Sequence, residues 1–244
     1  MRTDPARAIA VLWGQVASPR RGPKQAASVE EIVASAVGIA DADGLEAVTM
    51  RAVGNELGRT AMSLYTYVVS RDVLIDLMYD SVHAELGEVR AGGDWRKAVA
   101  RWSGKLRDLY LQHPWLLEIQ SARPVLGPHE QQALESLLKI LATAELAFED
   151  RQAATSALFS IVKGAARQAA DARAAIAKAD AEWWAAAGKA LAEAAPDFAE
   201  RFPESAAIAT RQREYGAQPW VTAADQAFTR AIDLLIAGMD KLRD

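Results

Sequence analysis

The sequence predicts an all-α protein with a small front domain and a larger rear one. Apolar residues recur at helical spacing along most of the chain, period-two alternation of β-branched residues is almost absent, and Pro and Gly punctuate it at helix-length intervals. The 244 residues, 51% of them hydrophobic, suffice for a sizeable core.

Residues 1–27 carry Arg2, Arg7, Arg20, Arg21 and Lys24 against Asp4 alone, and Pro19, Gly22 and Pro23 interrupt them. This composition predicts a basic flexible arm without stable helix, although the apolar patch from Ile9 to Trp13 can order against a neighbour. Ser28 followed by Glu31 reads as a capping box, and Ile32, Val33, Ala36 and Ala40 form the inward stripe of a helix that Gly44 ends. Thr49 is placed to cap a second, short helix with Met50, Val53 and Leu57 inward, and Gly58 allows a sharp turn. Thr60 then caps a third helix over about 61–67, with Leu64 and Val68 facing the core. Ser70 caps a fourth, with Val73, Leu74, Leu77, Met78 and Val82 inward. Further helices are expected near 94–111, 115–120, 128–143, 149–176, 178–194, 203–213 and 222–240, with breaks at Pro114, RPVLGP, Pro196, Pro203 and Pro219.

Composition excludes several classes. There is no Cys, so disulfides and thiolate metal sites are out, and the three His are too widely separated for a helical zinc pair; neither a metal nor a cofactor is expected. No apolar window is long enough to cross a membrane and the N-terminus lacks a convincing secretory signal, so a cytoplasmic protein with no membrane partner is expected. The phosphate-binding, nucleophile-elbow and dinucleotide motifs are all missing, and acidic residues mostly alternate with basic ones as on solvated helix faces, which argues against an enzyme.

The third helix has the chemistry of a DNA reader. A helix fits the major groove, where Ala61 or Met62 can meet a thymine methyl and Ser63 can exchange hydrogen bonds, with Thr60 at the cap. Arg51, early in the second helix, has the fork that suits guanine and is the strongest candidate for specificity. Tyr65 and Tyr67 carry hydroxyls for phosphate oxygens and Arg71 supplies charge. The two tyrosines lie about 200° apart on a helix, so core packing is an equally open role for one of them.

The segment VTMRAVGNELGRTAMSLYTYVVSRDVLIDLM resembles the helix-turn-helix of the TetR family of transcriptional repressors, over about Ile32 to Leu77. The resemblance implies a helix-turn-helix DNA-binding domain at 28–72 and a helical ligand-binding and dimerisation domain at 73–244. It places Thr49 on a phosphate and Arg51 on a base, Thr60 to Ser63 at the start of the reading helix, Tyr65 and Tyr67 in the aromatic clamp, and Arg71 on a phosphate. Met62 and Ala61 stand where the tetracycline repressor has Pro and a base-reading Gln, so a different operator sequence is expected. Arg20, Arg21 and Lys24 then read as an arm that follows the DNA backbone or enters the minor groove.

The rear domain resembles the tetracycline-repressor type more loosely, through its length, HPWLLEIQSARPVLGP and two long late helices. That implies a homodimer with Leu158, Phe159, Val162, Phe228, Ile232, Leu235, Ile236 and Met239 at the interface, reading a palindromic double-stranded operator, with packing in the protomer's own core as the competing role, which some of them must share. Trp102, Tyr110, Trp115, Leu116, Ile119, Gln120, Arg123 and Phe159 have the composition of a small-molecule pocket, with core packing as the competing role. The expected function is a ligand-responsive transcriptional regulator, a repressor released by a small-molecule inducer. The alternative is a helical small-molecule-binding or scaffold protein that reads no DNA.

Overall fold

A computed structural model of the chain describes residues 4–15, 28–90, 92–119, 124–177, 181–215 and 219–243, and the described residues are helical with no strand among them. The chain opens with α1 (Pro5–Leu12), where the expectation was an arm without stable helix. Pro5 at the first helical position and the Asp4 carboxylate, which accepts from the Ala6 N–H at 3.1 Å, start the helix. Val11 and Leu12 are buried, so the apolar patch docks. Trp13 extends this attachment by donating its indole N–H to the Leu126 carbonyl at 3.0 Å.

The front unit follows as expected. It comprises α2 (Val29–Asp43), a 3-10 turn at Leu45–Ala47, α3 (Met50–Glu56) and α4 (Ala61–Leu64). Ser28 and Glu31 form the reciprocal capping box, Thr49 accepts from Ala52 N and Thr60 accepts from Ser63 N. Gly44 and Gly58 adopt φ of 85° and 64°, the left-handed region that glycine enters without a Cβ clash. The reading helix ends at Leu64, earlier than the sequence pattern indicates, and residues 65–67 form a turn. Gly54 lets the turn close over α3, because a Cβ there would lie 2.8 Å from the Arg59 carbonyl oxygen.

Helix α5 (Arg71–His83) leads into a 3-10 turn at Ala84–Leu86. Next come α6 (Trp95–Gln112), a 3-10 turn at Pro114–Leu117, α7 (Pro128–Ala142) and α8 (Phe148–Ala177). The chain ends through α9 (Ala181–Ala194), the four-residue α10 (Phe198–Arg201), α11 (Pro203–Arg213) and α12 (Pro219–Lys241). Helices α6, α7, α8 and α12 build the rear core. Two ion pairs fasten α12 to α6: Arg107 with Asp225, its guanidinium 4.9 Å from the Phe228 ring centre, and Arg96 with Asp240.

Front and rear meet through buried polar groups. Asp41 of α2 accepts from the Trp115 indole at 2.8 Å and bonds the buried His113 ring at 2.7 Å. The other His113 nitrogen lies 3.4 Å from Glu85, which also accepts from Gln112. Buried Asp80 of α5 caps α7, accepting from the His129 and Glu130 N–H groups at 2.9 Å each. A Cβ on Gly127 would lie 2.1 Å from an Asp80 oxygen, so this joint has no room for a side chain.

Two outcomes follow for stability. Gly127→Ala should displace Asp80 from its cap and lower the unfolding free energy by roughly 2 kcal/mol, read as a lower urea midpoint with unchanged denaturant slope. His83 is buried, and burial holds its imidazole below the ordinary value of 6.5. Between 6.5 and the depressed folded value the unfolded chain binds more protons than the folded one. Its contribution is therefore complete above about pH 6.5 and is lost as the pH falls through the folded value. Thermal melts along an acid series should decline less steeply in His83→Gln than in the unsubstituted protein.

Candidate nucleic-acid interface and ligand cavity

Helices α3 and α4 present one polar, solvent-facing edge. Thr49, Arg51 and Thr60 are exposed, Met62 is 76% exposed and Tyr65 43% exposed. The two threonines each use a side-chain oxygen to cap the following helix, so they meet a partner at a helix start. Arg51 sits in the first turn of α3 with its side chain in solvent. Ser63 is partly exposed, but its hydroxyl donates to the Thr60 carbonyl at 2.7 Å and is left to accept from a partner. Thr66, absent from the expected set, is exposed beside Tyr65, and Arg59 is exposed in the turn ahead of α4.

Three expected readers are turned elsewhere. Ala61 and Tyr67 pack partly against the hydrophobic core, so of the two tyrosines Tyr65 is the one that faces solvent. The Arg71 guanidinium reaches back to donate to the Val48 carbonyl at 2.6 Å and the Leu45 carbonyl at 2.8 Å. It clasps the segment before α3 to the start of α5, and that bonding competes with a phosphate. Arg20, Arg21 and Lys24 lie outside the described residues.

The rear domain holds a cavity of about 600 Å³ between α5, α6, α7 and α8. Trp102, Tyr110, Leu116, Ile119 and Phe159 line it, as expected. Trp102 donates its indole N–H to the Ala133 carbonyl at 3.1 Å and meets Phe159 edge to face at 5.3 Å. Trp115 is not in the lining; it is buried at the domain junction, bonded to Asp41. Gln120 and Arg123 lie outside the described residues.

The polar part of the lining includes Tyr79, His83, Glu130, Gln131 and Lys163, none of them expected. The available signal was Tyr79 and His83 four apart on one face of α5, hidden because that helix reads as a connector. Burial pushes the Tyr110 hydroxyl up to about 12 and the Tyr79 hydroxyl higher still, so both remain neutral phenols. Burial, with Arg167 close by, lowers Lys163, whose ammonium donates to the Ile119 carbonyl at 2.8 Å.

Most of the expected dimer residues are occupied within the protomer. Leu158, Val162, Ile232, Ile236 and Met239 are buried inside the protomer, where they form its own core. Phe159 is in the cavity wall, Phe228 lies under Arg107, and Leu235 packs against the core. Reading α12 for its apolar stripe selects the face that packs inward, since the same periodicity marks both uses. The opposite face, Ala227, Arg230, Leu234, Ala237, Gly238 and Lys241, is exposed, with Leu234 63% exposed.

Comparisons with known proteins agree with this architecture. Residues 90–243 match the family model described as the tetracyclin repressor-like C-terminal domain. The chain is 38% identical over 194 residues to the HTH-type transcriptional repressor DrrR1 of Streptomyces coeruleorubidus, spanning 75% of this chain and 70% of that protein. Among solved structures it is similar to the TetR family protein ActR of Streptomyces coelicolor in complex with actinorhodin, with a TM-score of 0.72, 28% identity, and coverage of 90% and 96% of the two chains. Apo ActR aligns with a TM-score of 0.71 at 25% identity, over 90% of this chain and 98% of that one. A helix-turn-helix front unit, a cavity-bearing helical rear domain and these matches lead to one assignment: the chain belongs to the TetR family of transcriptional regulators.

Proposed function

We propose that this chain is a cytoplasmic, ligand-responsive repressor that binds a palindromic operator as a homodimer and releases it when a small molecule occupies the rear cavity. The observation that carries this reading is the shared use of α5. Its first residue, Arg71, is bonded to the carbonyls that precede α3, and Tyr79 and His83 near its other end line the cavity. A ligand that favours a different setting of α5 therefore acts on the reading helices through direct bonds, and its differential affinity for the two settings shifts the population. The repressors among its relatives, and the actinorhodin held by ActR, support the same reading.

In this reading Arg51 takes a base edge, and Met62 and Ser63 lie in the major groove. Thr49, Thr60 and Tyr65 face the phosphates, with Arg20, Arg21 and Lys24 following the backbone ahead of α2. The partner subunit is met by the exposed face of α12 around Leu234, which puts two reading units on two half-sites.

Titration of upstream intergenic DNA at two salt concentrations tests the DNA arm of the proposal. Saturable binding should weaken steeply with salt, and Arg51→Ala should remove about 1–3 kcal/mol of discrimination at one base pair of each half-site. Indifference to DNA sequence and to the Arg51 change would favour a helical binding protein that reads no DNA. Leu234→Asp should weaken dimerisation on the order of a hundredfold in sedimentation equilibrium, because a carboxylate would be buried without a partner. An unchanged dimer would remove α12 from the interface.

A further inference from the structure

We infer that the chain carries a second small-molecule site, apart from the rear cavity, that takes an organic ammonium ion with an apolar body. A cavity of about 400 Å³ lies where front and rear meet, between α1, α2, the turn after α4, α5 and the start of α7. Leu12, Val29, Val33, Ala34, Leu77 and Pro128 supply its apolar wall, and it shares no lining residue with the rear cavity. Its size and mixed lining suit a small molecule.

The charge of this lining is one-sided. Asp80 is 4% exposed, and its Oδ1 alone accepts both of the α7 N–H groups. A carboxylate has acceptor sites on both oxygens. Oδ2 has no hydrogen-bond partner among the described residues and is not sealed in the core, so it opens onto the cavity that Asp80 lines. Glu30 adds a second carboxylate, and Tyr67, Ser81 and His129 add polar side chains, again without a hydrogen-bond partner among the described residues. No Lys or Arg belongs to the lining among the described residues. A buried carboxylate oxygen without a donor is costly, and an ammonium N–H relieves that cost where an anion would be repelled. Among the described residues no three His or carboxylate side chains are grouped to hold a metal ion, so the cation that fits is organic.

An occupant meets Val33 of α2, Thr66 and Tyr67 in the turn behind the reading helix, and the Asp80 joint between α5 and α7 all at once. Its binding therefore shifts the setting of the reading unit without passing through the rear cavity.

Calorimetric titration of the full chain with phenylbutylamine, phenylbutanol and phenylbutyrate, which share an apolar body and differ in the polar end, tests this. The amine should bind saturably and at least about tenfold more tightly than the alcohol, the scale of one charge-assisted hydrogen bond, with the carboxylate weaker still. Asp80→Asn keeps an oxygen for the α7 N–H groups and turns an amide NH2 toward the cavity, so it should abolish the amine's advantage. Glu30→Gln, at an exposed position of α2, should reduce that advantage and decides the role of charge if Asp80→Asn does not fold. Ala34→Trp, exposed on the same helix, should fill the site and abolish amine binding. Leu134→Trp, which fills the rear cavity, should leave it unchanged.

No saturable binding of the amine, equal binding of amine and alcohol, or a loss in Leu134→Trp with none in Ala34→Trp would overturn the site. Operator affinity with and without the amine reads the coupling, and this arm alone rests on the DNA-reading role proposed above. A shift in operator affinity that Ala34→Trp removes is the expected result, and an unchanged affinity at saturating amine would overturn the coupling. Amine binding by a chain that reads no DNA would uphold the site while the DNA-reading role failed.

Discussion

Asp80 lies on α5, yet its carboxylate completes α7. The first turn of α7 has N–H groups that its own N-cap, Gly127, cannot satisfy with a side chain, and Asp80 accepts two of them at 2.9 Å. A buried carboxylate is costly unless hydrogen-bonded, and a buried helix start is costly unless capped, so each removes the other's penalty. The geometry allows little else at this point, since Gly127 touches the same carboxylate. The cavity walls contributed by α5 and α7 are thereby fixed to one another, and so is the corner where Tyr79, His83 and Glu130 converge.

The domain junction works on a similar principle. Asp41 of the front unit is shared between the His113 ring and the Trp115 indole, and Glu85 lies against the other side of the same ring. These bonds are directional, so a rotation of front against rear has to break them, whereas an apolar junction would slide. Trp115 therefore belongs to the linkage between domains, although its size and neighbours in sequence resemble those of a pocket residue.

What sequence conveys here is mostly local. The capping box at Ser28, the turns at Gly44 and Gly58 and the stripes of α2 and α5 each depend on residues within a few positions, and each is found where the pattern indicates. Trp102, Tyr110 and Phe159 do line the cavity, but their size left core packing open as the competing role, and Trp115 from the same set is buried outside the lining. Arg71 is a different case. Its spacing and charge match a phosphate contact, and nothing nearby signals that its guanidinium turns to carbonyls 23 and 26 residues earlier. The late helices are ambiguous for another reason: hydrophobic periodicity reports which face of α12 is apolar but not whether that face meets its own subunit or a second one. The short α1 was obscured by its surroundings, since the five apolar positions from Ile9 to Trp13 stand in a segment that also carries Arg20, Arg21 and Lys24 and is broken by Pro19, Gly22 and Pro23.

The Trp13 to Leu126 hydrogen bond joins positions 113 residues apart. Pro124 and Val125, just before Leu126, belong to the cavity wall, so the far side of that wall is held by the first helix of the chain. The leading residues thus behave as a brace for the cavity wall. Removing them, or fusing a bulky tag close to Trp13, would loosen that wall while α3 and α4 kept their own caps.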